Sequence, residues 1–82
     1  MRIAVTQTDI DRGVPHNLCD CPIAIAIHRA TGLLAEVTSV RVWIGSQRLF
    51  LPPIAREFVV RFDANEPVEP FEFELSDSLV SA

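Results

Sequence analysis

Cys21-Pro22-Ile23-Ala24-Ile25-Ala26-Ile27-His28-Arg29-Ala30-Thr31-Gly32 is the stretch on whose reading the fold turns. Its isoleucines at 23, 25 and 27 alternate as those of a half-buried strand would, yet the punctuation is that of a helix. Proline is pre-set for the first helical position, Asp20 or Cys21 can cap it, and Gly32 suits the left-handed residue that ends it. The intervening alanines are good helix formers. No polar side chain appears before His28. The spacing therefore predicts a helix apolar almost all round, which belongs at the centre of a core.

Towards the N-terminus, Arg2-Ile3-Ala4-Val5-Thr6 reads as a short strand with Ile3 and Val5 inward. Thr8-Asp9-Ile10-Asp11 places an acid three residues after a hydroxyl, so a helical turn is expected to start at Thr8 and stop at Gly13. Towards the C-terminus, Leu33 and Leu34 lead into a hairpin. Val40, Val42 and Ile44 alternate with Arg41 and Trp43, and Gly45-Ser46 suits a two-residue II′ turn into Gln47-Arg48-Leu49-Phe50-Leu51. That turn sets Trp43 against Arg48, Val42 against Leu49, Arg41 against Phe50 and Val40 against Leu51. One hairpin face is then wholly aliphatic, and the other pairs an aromatic with an arginine twice.

Pro52-Pro53 ends the hairpin and opens a helix to Asp63. Ile54, Ala55, Phe58, Val59 and Phe62 share one arc of it, while Arg56, Glu57 and Val60 point away. A last strand, Glu69 to Leu75, turns Phe71, Phe73 and Leu75 inward and Glu72 and Glu74 outward. The succession βαββαβ predicts an α+β, ferredoxin-like split arrangement, with two helices on one face of a four-stranded antiparallel sheet. A looser meander of the same elements is the alternative. Residues 1–75 are expected to form one globular domain and 76–82 a frayed tail.

Composition fits a small core. The 82 residues are 49 % hydrophobic and 22 % charged, which excludes a disordered chain. No apolar run is long enough to span a bilayer, so a cytoplasmic protein with no membrane partner is expected. All seven basic residues are Arg, and Arg61 is followed by six acids and no base: Asp63, Glu66, Glu69, Glu72, Glu74 and Asp77. A net charge of −4 argues against a nucleic-acid backbone as partner and admits a basic protein surface.

His16, Cys19, Cys21 and His28 are the right kinds of residue for tetrahedral zinc. Their spacing matches neither a Cys-x-x-Cys nor a His-x₃₋₅-His pair, and roughly two helical turns, ~10 Å, separate Cys21 from His28. No metal or other cofactor is expected. Cys21 at a helix start, with His16 or His28 as base, outlines a thiol-dependent enzyme or a redox domain that could also use Cys19. No third orienting group is visible, and Pro22 removes a helix amide that would stabilise a thiolate. The three glycines stand apart, so no phosphate-cradling loop exists. No catalytic residue is assigned.

Arg41, Trp43, Arg48 and Phe50 form the sharper candidate. On the βαββαβ reading they occupy the helix-free face of the sheet, with Glu72 and Glu74 on a neighbouring strand. Aromatics interleaved with Arg stack bases in single-stranded nucleic-acid binders. They also anchor protein interfaces, or simply pair as cation and ring across strands. A protein partner is the reading favoured here, with a second copy of the chain as the other protein candidate.

Val5-Thr6-Gln7-Thr8-Asp9-Ile10-Asp11-Arg12-Gly13, Cys21-Pro22-Ile23-Ala24-Ile25-Ala26 and Pro70-Phe71-Glu72-Phe73-Glu74-Leu75 together resemble short uncharacterised proteins of bacteriophages and prophages. The resemblance covers the first third and the final strand. It implies a context and no catalytic residue: small phage-encoded proteins often bind host or phage proteins, and acidic ones include anti-CRISPR inhibitors of host defence complexes. The expected function is accordingly that of a small acidic, non-enzymatic protein-binding module in the bacterial cell, inhibiting a host defence complex. A thiol-dependent domain or a weak single-stranded nucleic-acid binder is the alternative.

Overall fold

The computed structural model describes residues 1–75; the expected tail, 76–82, lies outside the described residues. In chain order the elements are β1 (Arg2–Val5), α1 (Gln7–Arg12), α2 (Pro22–Thr31), β2 (Ala35–Val37), β3 (Arg41–Ile44), β4 (Gln47–Phe50), α3 (Pro53–Asp63) and β5 (Phe71–Glu74). The fold is α+β, as expected.

Helix α2 forms with the expected punctuation. The Cys21 sulfur caps it by accepting the Ala24 N–H at 3.4 Å, Pro22 opens it, and Gly32 ends it at φ 76°. Pro22, Ile23, Ala24, Ala26 and Ile27 are all buried. The helix packs against α1, β1 and β2, so it is the centre of the core. Around it gather Ile3 and Val5 of β1, Val42 and Ile44 of β3, Leu49 of β4, Ala55, Phe58 and Val59 of α3, and Phe73 of β5.

The strands do not form one four-stranded sheet. They form two antiparallel sheets, β1 with β5 and β2 with β3 and β4. Each half of the expected sheet is present, with β1 on β5 and the hairpin in the expected register, including Trp43 opposite Arg48 and Arg41 opposite Phe50. The junction between the halves is missing, and the local chemistry accounts for it. The Ala4 carbonyl, which the alternation of the ladder aims away from β5, accepts from Arg29 Nη2 at 2.8 Å. After β4 come Leu51, Pro52 and Pro53, and proline has no N–H with which to continue a ladder.

Three further expectations are corrected. The capping box of α1 is Thr6 with Asp9, two residues ahead of the expected Thr8 and Asp11. Residues 35–37, read only as the lead into a hairpin, are a third strand paired with β3. Val40 and Ile54, expected inside, are exposed, since one lies just before β3 and the other in the first turn of α3.

Candidate functional site

The turn at Gly45-Ser46 positions the candidate face. Gly45 has φ 59° and Ser46 is not among the positive-φ residues, as a two-residue turn with glycine first requires. Period-2 alternation then divides the sheet. Ala35, Val37, Val42, Ile44 and Leu49 are buried, while Glu36, Trp43, Arg48 and Phe50 stand on the other side and are exposed. Phe50 is 55 % exposed, and Leu34, next to β2, is 79 % exposed. Arg41 lies over the Phe50 ring with Cζ 5.4 Å from its centroid. Trp43 and Arg48 are register partners without a comparable stacked contact among the described residues. The structure thus brings Arg41, Trp43, Arg48 and Phe50 together on one open face.

Glu72 and Glu74 are elsewhere. They project from β5 in the two-stranded sheet, where Arg2 Nη1 reaches Glu72 at 3.2 Å and Arg2 Nε lies 3.6 Å from Glu74. The N-terminal ammonium adds a contact to Glu74 at 3.0 Å. The two acids expected beside Trp43 therefore belong to a solvent-exposed ion-pair cluster that ties β1 to β5, where such pairs contribute about 0–1 kcal/mol each.

The four zinc candidates do not converge. Cys19 is an exposed loop thiol and Cys21 is buried at the start of α2. His28, in the last turn of α2, donates through Nδ1 to the Leu33 carbonyl at 3.0 Å. Among the described residues, no three His, Cys, Asp or Glu side chains gather as metal ligands would. His16 and Cys21 do share a cavity of about 280 Å³ with Asp63, Val37 and Val59. Asp63 accepts the His16 backbone N–H at 3.0 Å and lies 4.0 Å from the His16 ring, fastening the connector before α2 to the end of α3. The sequence reading missed this contact. Its one local signal is that histidine, like asparagine, tolerates the left-handed backbone that His16 adopts at φ 61°. Burial pushes the Cys21 thiol above its usual range and the Asp63 charge adds to the shift, so the protonated thiol, a poor nucleophile, is favoured.

A wider groove, about 540 Å³, runs between α3 and the segment before β5, over the Phe58 and Phe71 rings. Arg61 at its rim is 3.8 Å from Glu57 and 3.5 Å from Glu66, so its charge is offset within the chain. The most buried carboxylate of the described core is Asp9, held by Arg29 and by the Thr6 capping box. It joins α1 to α2 and has the character of a structural tie. Comparison with protein-family models, with curated proteins and with solved structures finds no match to this chain.

Proposed function

We propose that this chain is a small non-enzymatic protein-binding module that engages its partner through the outer face of β2, β3 and β4. The observation that carries the reading is the exposure of Trp43 and Phe50, interleaved with Arg41 and Arg48, on a sheet face whose opposite side is the core. Trp and Arg dominate interface hot spots, and two large aromatics on one open face exceed scattered exposure. The raised thiol pKa of Cys21 favours this reading over a thiol-dependent enzyme. The resemblance to phage-encoded proteins supports a host protein as partner, with a defence complex as the target class.

The test compares parent and Trp43→Ala in affinity capture from bacterial host lysate, with a melting curve on each. A partner retained by the parent and lost by the variant, at similar melting temperature, is the expected result. Equal capture by both proteins, or a fold that collapses without Trp43, would refute the assignment. Binding of single-stranded RNA or DNA that falls steeply with salt would replace it with the nucleic-acid reading.

A further inference from the structure

Resting on the reading of the open face as a contact surface, we propose that β4 is a docking edge that takes up an extended acidic segment of the partner protein as an added strand. The ladder itself aims β4's free groups outward. Leu51 N–H bonds the Val40 carbonyl at 2.9 Å, and antiparallel alternation makes Val42–Leu49 and Ile44–Gln47 the next bonded pairs. The amides and carbonyls of Arg48 and Phe50 therefore point away from β3. Among the described residues no strand pairs with that side of β4.

Two other edges are partly occupied, and the outer edge of β5 carries Glu72 and Glu74, which disfavour an acidic strand. On β2, the Val37 N–H is taken by the Leu18 carbonyl at 2.8 Å, and on β1 the Ala4 carbonyl is taken by Arg29. The open edge of β4 borders the aromatic–arginine face, so one added strand would meet both. Strand addition of this kind draws affinity from main-chain hydrogen bonds and specificity from alternate side chains.

Charge selects the occupant. Arg2, Arg29 and Arg61 each have a carboxylate partner, whereas Arg41 and Arg48 have none among the described residues. Among the described residues Glu36 is the lone acid on this face, on the far strand β2. In a chain of net charge −4 the face thus presents two uncompensated guanidinium groups, which complement acids at alternate positions of an added strand. A second copy of the chain fits less well, since edge-to-edge pairing would gather both copies of Arg41 and Arg48 on one continuous face. A charged residue on an edge strand is a common guard against such pairing.

Selection of random twelve-residue peptides against the folded chain, followed by titrations read on the emission of Trp43, the only tryptophan, provides the test. The enriched peptides are expected to carry acids at alternate positions with no proline between them. N-methylation of the amides that would face β4 is expected to weaken binding roughly tenfold or more. Arg48→Glu should weaken it similarly, and exchanging the peptide's acids for lysine should restore binding to that variant. Unchanged binding of the N-methylated peptide would overturn the edge proposal, while loss of capture from lysate by Trp43→Ala would still leave the contact face standing. Neutral or basic consensus peptides would overturn the acidic partner. A concentration-dependent dimer with no enriched peptide would make a second copy the occupant.

Discussion

Asp9 shows how one buried side chain can join three elements. It is 1 % exposed, yet its carboxylate accepts the Thr6 N–H at 2.8 Å and Arg29 Nη2 at 2.8 Å, while the same guanidinium nitrogen reaches Ala4 of β1. Burial pushes its pKa up, but the hydrogen bonds from Arg29 and Thr6 and the charge of Arg29 outweigh it, leaving the carboxyl below its usual value. A lowered folded-state pKa means that the stabilisation is fully present above the unfolded value, about 3.9, and is lost as pH falls through the folded value. Asp9→Asn should therefore cost about 1.5–3 kcal/mol at neutral pH, with the difference from the parent vanishing in acid. Chemical denaturation of both proteins from pH 7 down to below pH 3 reads this directly. The box expected from sequence, Thr8 to Asp11, has the same spacing as the observed one, Thr6 to Asp9, two residues earlier. Arg29, 20 positions away, decides for the observed one.

Among the elements, α2 was the most legible because its stop and start signals are covalent properties of proline and glycine. Two glycines that look alike in sequence play different parts. Gly32 is at φ 76° with open space around it, so Gly32→Ala should cost only about 1–2 kcal/mol of backbone strain. Gly13 has an ordinary φ of −69°, but an added Cβ would lie 2.5 Å from Pro22 Cδ and 2.9 Å from its backbone nitrogen. Gly13→Ala must separate α1 from the start of α2 and should cost about 1–3 kcal/mol or more. Thermal melts of the two variants separate strain from overlap, since a further Gly13→Ser change worsens only the second. Ile27, fully buried on α2, should cost roughly 2–5 kcal/mol when cut to alanine. Strand β2 was not legible, because Ala35-Glu36-Val37 is too short for alternation to register. Nor was the split of the sheet, which depends on a side chain of α2 reaching the edge of β1.

For the whole molecule, the aromatic–arginine face was readable from four residues and one turn: once Gly45-Ser46 set the register, Arg41, Trp43, Arg48 and Phe50 had to share a side. The placement of Glu72 and Glu74 was not readable, since it depends on which sheet β5 joins and on Arg2, 70 positions from Glu72. Trp43→Ala is expected to weaken partner binding roughly 30-fold or more, equivalent to about 2 kcal/mol, with little change in melting temperature. Measuring both on one preparation distinguishes a contact residue from a packing residue.

The pairing of β1 with β5 also has a consequence during translation. At roughly 5–20 residues per second, ribosomes take about 4–14 s to travel the 70 positions from Arg2 to Glu72. The β3–β4 hairpin, by contrast, can close in ~1–10 μs once it has emerged. Ile3 and Val5 must therefore wait without their strand partners Phe73 and Phe71 until β5 has been synthesised. A nascent chain arrested before Phe71 should accordingly be cleaved by protease in its first residues, whereas one carrying the β5 segment beyond the exit tunnel should resist.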